Sequence, residues 1–331
     1  MDMNNKIKEI IRHFVCLPPV NLVLRNLPLQ HSKILFYHGV ALSPDATIET
    51  ESIPVDVFVK QLDYIKKNYK VVSIDEFLYL YLNKELNGNE VVLTFDDGYK
   101  NILTTAAPIL ADYNLPYSLY ITTNNISNGR LFPTTINRLI VYASSLKRIS
   151  LESIKQDFDL STERLKIEVQ NRISKILKTQ PIEMVDSIVS ELESQISDDE
   201  YLSLRNKYSS IEPLAWDEVK QLSAESLITI GSHGKDHICC HSKQSESALR
   251  SQIFGSKEEI ENKLNIQCDV FSYPNGNYTE LSNSLLKEAG YKCGLSTKRW
   301  DVYKGSEYAI PRLYVPYDYE RFVYSMVTYP F

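Results

Sequence analysis

The sequence has no excess of positive charge, no CxxC pair, no apolar run long enough to cross a bilayer and no internal repeat. Each absence narrows what the chain can be. Lysine and arginine number 36 against 42 acidic residues, a net charge of −6. A surface built to neutralise many phosphates carries the opposite sign, so nucleic acid is not expected as a partner. The five cysteines, Cys16, Cys239, Cys240, Cys268 and Cys293, are odd in number and include one adjacent pair. That fits reduced thiols better than a disulfide framework. At the start, Lys6, Lys8 and Arg12 precede an apolar stretch from Phe14 to Leu24, but Pro18, Pro19 and Asn21 interrupt it and no small-x-small site follows. The stretch therefore does not read as an export signal, and it is too short to span a membrane. A packed terminal helix is expected, with a surface helix in peripheral contact with lipid as the alternative. This reading points to the cytoplasm or to the inner face of the membrane.

What is present is a chain of 331 residues, 43% apolar and 24% charged, able to bury a large core without disulfides. Short apolar runs rich in β-branched and aromatic residues recur at 34–38, 71–73, 91–95, 117–122, 228–232, 270–273, 294–297 and 309–315. Stretches of helical spacing lie between them at 55–68, 74–86, 101–113, 217–223, 245–264 and 280–289. Alternating strands and helices, with near-continuous apolar strands, predict a parallel sheet covered by helices. The number of units favours a closed or nearly closed β/α barrel over an open sheet, and in such barrels the functional residues lie at the C-terminal ends of the strands. The stretch 130–210 is polar, helix-prone and nearly free of strand signals. It reads as a helical insertion, either a cover over the substrate side or a structural lobe. The organisation expected is a helical segment over 1–32, barrel over 33–129 and 211–331, and the insertion between.

Two strand ends carry the chemistry. Val91-Val92-Leu93-Thr94-Phe95 runs into Asp96-Asp97-Gly98-Tyr99. Two adjacent carboxylates at a dry strand end need a cation or a shared proton; a solvated Asp-Asp-Gly turn is the alternative. Ile228-Thr229-Ile230-Gly231-Ser232 ends in His233-Gly234-Lys235-Asp236-His237, which holds two of the chain's six histidines. In a helical or turn-like segment this four-residue spacing brings both imidazoles to one side, where they can share a metal; a pair of surface histidines is the alternative. His241, farther into the loop, is a weaker candidate. One Asp and two His suit a divalent cation, zinc first, with cobalt, nickel or iron also fitting. The remaining carboxylate is then free to act as a base towards a water acidified by the metal.

These segments, in this order, resemble the polysaccharide deacetylase family (NodB-homology, carbohydrate esterase family 4). The resemblance takes in Phe36-Tyr37-His38-Gly39, Thr94-Phe95-Asp96-Asp97-Gly98, Trp216-Asp217-Glu218-Val219, Gly231-Ser232-His233 and Ser272-Tyr273-Pro274-Asn275-Gly276. Tyr291-Lys292-Cys293-Gly294 looks like the family's closing barrel unit. The resemblance implies a hydrolase that removes the N-acetyl group of an amino sugar in a polysaccharide, glycolipid or lipid-linked precursor. It implies a seven-stranded, partly irregular (β/α) barrel. It makes Asp96 the general base and Asp97, His233 and His237 the metal ligands. Members with a Tyr-His motif near the start look circularly permuted, which makes His38 the general acid. The Tyr273-Pro274-Asn275 loop is expected to hold the oxyanion, and Arg312 is placed to orient Asp96, with a plain surface arginine as the alternative.

The sequence departs from the family pattern at several points. Gly234 replaces a Ser or Thr whose hydroxyl helps hold the metal loop, and Ser272 and Asn275 stand where an arginine and a tyrosine are usual. Glu225-Ser226-Leu227 replaces a glycine ahead of the second motif's strand. The altered third motif favours one other reading, a non-catalytic carbohydrate-binding relative; an amide hydrolase acting on a small non-sugar substrate is a further alternative, because a fold does not fix its substrate.

Overall fold

A computed structural model describes residues 3–27, 31–297 and 306–328. Its parallel strands are mainly apolar and buried on both faces, as Lys33–Tyr37, Glu90–Phe95 and Tyr117–Ile121 show, every residue of each being buried, with Lys33, Glu90, Thr94 and Ser118 the polar exceptions. Such strands require a covering layer on the outside and packed side chains within. The order around the sheet is Lys33–Tyr37, Glu90–Phe95, Tyr117–Ile121, Ile228–Ser232, Val270–Ser272 and Cys293–Ser296, all parallel.

The seventh stave closes the ring in two pieces. Ile310–Pro311 pairs with Cys293–Ser296, and Leu313–Tyr314 pairs back to Lys33–Tyr37. The strand hands over from one neighbour to the other at Arg312. The sequence unit expected to close the barrel, around 291–294, is thus the sixth stave. Closure falls to the stave that carries Arg312.

The outer helices follow from amphipathic spacing. Val55–Asn68 buries Phe58, Gln61, Leu62 and Ile65, at the i, i+3, i+4, i+7 positions of one face. The side chains of Ser73 and Ser245 cap the helices that follow them by accepting backbone N–H groups at Glu76 and Ala248. The helix expected over 101–113 is split into a π turn, Ile102–Ala106, and an α-helix, Ala107–Tyr113. Pro108 offers no N–H and crowds the carbonyl four residues back, and the wider turn, in which Ala107 N–H reaches Ile102 O, relieves that.

The stretch 130–210 builds its own hydrophobic cluster, with Ile136, Leu139, Ile140, Ile173, Ile188 and Leu192 at its centre. Glu163–Leu177, Ile182–Glu193 and Asp198–Lys207 are its long helices. It also holds an antiparallel hairpin, Arg148–Leu151 with Gln156–Asp159, which the helical reading of this stretch did not include. The hairpin's signal is the alternation that buries Ile149, Leu151 and Phe158 while their neighbours face outward. Ile48, from the loop after the first stave, is buried in this second cluster, and Arg138 donates to its carbonyl, tying lobe to barrel.

Candidate active site

Strand register delivers the site. Tyr37 lies opposite Phe95, so His38 and Asp96 leave neighbouring strands at the same level, and Asp96 N–H bonds Tyr37 O at 3.0 Å. Two staves on, Ser232 lies opposite both Ile121 and Phe271, and His233 N–H bonds Ile121 O at 2.8 Å. Asp97 and His237 have left-handed backbones, with φ of 74° and 54°. Such angles are strained for residues with a Cβ and cluster where function demands them. They turn both side chains inward. No helix is involved, so the two imidazoles meet through a turn.

Asp97, His233 and His237 come together as ligand atoms within 4.8 Å of one another. Nε2 of His233 is 3.4 Å and Nε2 of His237 is 3.3 Å from the same oxygen, Asp97 Oδ1. Nδ1 of His233 lies 2.7 Å from the carbonyl of Ser272. A carbonyl can only accept, so Nδ1 carries the proton and Nε2 presents a lone pair to the cluster. Burial pushes the His233 pKa down to about 4, so the ring is neutral. A lone pair facing a carboxylate oxygen is repulsive unless a cation lies between them. Asp97 Oδ1 is buried and accepts no hydrogen bond, and two ligands each about 2.1 Å from a tetrahedral ion sit about 3.4 Å apart. The donor set therefore fits a divalent metal. Burial works to raise the Asp97 pKa, but His237, His38 and His233 outweigh it and hold the carboxyl well below the usual range.

Asp96 is held differently. Arg312, 2% exposed, grips it with two parallel bonds, Nη1 to Oδ1 at 2.8 Å and Nη2 to Oδ2 at 2.6 Å. The guanidinium also donates to Thr94 Oγ1 and Ser272 Oγ and lies over the Phe36 ring at 4.7 Å. Burial favours the protonated acid, but Arg312, with His233 and His38, keeps the Asp96 pKa below its ordinary value. Arg312 is no surface arginine. Ser272 now has a physical account: it is small enough to admit the guanidinium from the seventh stave, and its hydroxyl bonds Asp96 Oδ1 at 3.2 Å.

Gly234 also has one. Its φ is +83°, and an added Cβ would lie 3.3 Å from Gln252 Oε1. A side-chain hydroxyl at this position is replaced by Gln252, which accepts the N–H groups of Lys235 and Asp236 and donates to Asp236 Oδ2. Asp236 Oδ1 is bonded in turn by Asn124. Gln252 and Asn124 were not legible as site residues, being polar residues on helices with no motif around them. His241 stays out of the cluster; its Nδ1 accepts the N–H of Lys243.

The cluster opens into a cavity of about 210 Å³ lined by His38, Asp96, Asp97, His233, His237, Tyr273, Asn275 and Arg312. All of the expected site residues except Pro274, which is buried next to them, line it. Tyr273 contributes ring rather than hydroxyl, which donates to Asn283 at 2.8 Å. Asn275, at φ 54°, donates its amide to Cys239 Sγ. Glu51 also lines the cavity, 3.7 Å from His38 Nδ1 and 3.7 Å from Arg138. Phe132, Thr134 and Lys178, all from the stretch 130–210, complete the wall. Nothing in their sequence context marked them.

A closed parallel barrel with an Asp-His-His cluster and an arginine-held second carboxylate at one rim belongs to the class of barrel hydrolases. The family model for polysaccharide deacetylase matches residues 83–294, more than half of the chain, and the chain belongs to that family. Its members are hydrolases of carbon–nitrogen bonds other than peptide bonds, acting on acetylated carbohydrate. The match takes in Asp96, Asp97, His233, His237 and the 273–275 loop, while His38 and Arg312 lie outside it. No curated protein matches the chain by sequence. Among solved structures, the deacetylase PplD of Streptococcus pyogenes in complex with acetate is similar with a TM-score of 0.56 at 15% identity, covering 91% of this chain and 99% of that one. IcaB from Ammonifex degensii is similar with a TM-score of 0.56 at 16% identity, covering 90% and 98%. A polysaccharide deacetylase from Bacillus cereus is similar with a TM-score of 0.53 at 13% identity, covering 90% of this chain and 69% of that one. At these identities the likeness is one of fold.

Proposed function

We propose that the protein is a metal-dependent deacetylase that hydrolyses the N-acetyl group of an amino sugar in a polysaccharide, glycolipid or lipid-linked precursor. The observation that carries this reading is the orphaned Asp97 Oδ1 between two imidazoles, with a separately anchored carboxylate beside it. Asp97, His233 and His237 would hold the ion, for which zinc is the best candidate and cobalt, nickel or iron are alternatives. Bound there, a divalent cation supplies Lewis-acid chemistry, acidifying water and polarising the acyl oxygen.

The chain's own residues do the rest. Asp96, kept ionised and aimed by Arg312, takes a proton from the attacking water as its oxygen bonds to the acyl carbon. The backbone N–H of Asn275, just beyond Pro274, is proposed to donate to the oxyanion that develops. The carbon–nitrogen bond then breaks, and His38 gives a proton to the departing amine, leaving acetate and a free amino sugar. Glu51 supplies a counter-charge when the His38 ring is protonated.

The altered third motif no longer favours a non-catalytic relative, because Ser272 joins the Asp96 network rather than breaking it. No feature of the cavity favours a small non-sugar amide. The test is acetate release from N-acetylhexosamine oligomers by purified protein with added zinc or cobalt. The expected result is release that stops in Asp96→Asn, which still binds metal and sugar. A metal-loaded protein that releases nothing from any acylated sugar would sink the proposal.

A further inference from the structure

The helix Met3–Cys16 is amphipathic in an inverted sense. Ile7, Ile10, Ile11 and Phe14 recur at i, i+3, i+4 and i+7, yet they are 47–68% exposed. They form one stripe within roughly 100° of the helix axis. The contacts that seat the helix lie on its other side: His13 Nδ1 is 3.2 Å from Glu320, and Cys16 Sγ donates to Glu320 O. Those two residues sit roughly 110–170° around the axis from the stripe. The next helix, Pro18–Arg25, and its flanks add exposed Leu17, Leu22, Val23 and Leu27. Eight of the seventeen large apolar side chains exposed among the described residues thus fall within 7–27. Ile10, Phe14 and Leu17 line one shallow surface pocket, and exposed apolar side chains gathered in this way mark a binding face.

Charge selects the occupant. Residues 1–25 carry Lys6, Lys8, Arg12 and Arg25 against Asp2 and Glu9, a net charge of +2, so the rest of the chain carries −8. A second copy of the same helix would bring like charge against like. An anionic lipid surface offers hydrocarbon for the stripe and headgroups for Lys6 and Lys8, which flank Ile7 in the sequence. A helix of 14 residues is too short to span a bilayer, and no helix among the described residues is long and apolar enough to cross one. We infer that the N-terminal helical pair docks the protein on an anionic membrane surface, lying in the interface rather than crossing it.

The experiment is flotation of the full chain with phosphatidylcholine vesicles and with vesicles that also contain phosphatidylglycerol, for wild type and for the double variant Ile10→Glu/Phe14→Glu. Both positions are exposed, and a melting temperature checks that the variant is folded. Wild type is expected to float with the anionic vesicles and less with the neutral ones. The double variant should bind about tenfold or more weakly, with turnover of a soluble acetylated oligomer unchanged. Failure of wild type to float, or equal flotation of both proteins, overturns the inference. So does a wild-type dimer in sedimentation that the double variant dissolves without any vesicle binding, which would make the face a self-association surface. None of these outcomes depends on whether the protein deacetylates sugars.

Discussion

The barrel and the inserted lobe are both well packed, but they are packed for different ends. The barrel core is made of parallel strands, and the candidates for chemistry stand at or just beyond strand ends, except Arg312, which lies between the two pieces of the seventh stave. The lobe is made of amphipathic helices and one hairpin around a separate apolar cluster. It gives the cavity Phe132, Thr134 and Lys178; the Phe132 ring meets the His237 ring edge-on at 5.1 Å, and none of the three is itself a member of the Asp-His-His cluster. Strand ends in a parallel barrel are held by their neighbours on both sides, and rigid elements of that kind give the precise placement that ligation and proton transfer need. The difference suggests a division of labour in which the barrel performs the reaction and the lobe shapes what reaches it.

That division can be broken by experiment. The largest effect is expected from Asp97→Ala, which removes the orphaned oxygen. Bound zinc should be lost, and turnover should fall about 10³-fold or more. Elemental analysis alongside acetate release reads both, and an active, metal-loaded variant would place the chemistry elsewhere.

Arg312→Met comes next. It strips a buried carboxylate of its counter-charge, at about 3–5 kcal/mol of stability, readable from the urea midpoint. In the wild type the Asp96 pKa is depressed below 3.8. The stability it contributes is therefore complete above that value and is lost as the pH falls through the folded value. Without Arg312, burial raises the pKa, so the acid limb of kcat should move to higher pH. Arg312→Lys should restore part of the shift. A pH profile that does not move would reduce Arg312 to a packing role.

Lys178→Ala should have the smallest effect. An exposed lysine at the cavity wall is worth about 0–1 kcal/mol, so KM for a long oligomer should rise by at most about fivefold with kcat unchanged. If kcat fell as far as in Asp97→Ala, the contrast between barrel and lobe would collapse.

Legibility followed the same boundary. Strand runs such as 91–95 and 228–232 announced themselves by composition, and the polar residues at their ends were found because the chain passes there without interruption from apolar to charged. Asp96, Asp97, His233 and His237 were legible for that reason, whereas His38, Tyr273 and Asn275 were reached only through the family resemblance; all seven line one cavity. The hairpin at 148–159 was missed because two short alternating runs are weak signals amid helical ones. The π turn before Pro108 was missed because a proline's effect depends on what the preceding turn can do.

The amino-acid sequence by itself determined the elements, their order and the identity of the reactive side chains, because periodicity and local composition act over a few residues. Only the tertiary structure decided the partnerships: that one Asp97 oxygen faces two imidazoles, that Arg312 crosses from the seventh stave to hold Asp96, and that Gln252 does the work of a missing hydroxyl. Those depend on strand register and ring closure, which bring together residues separated by up to 216 positions. No local pattern encodes such distances.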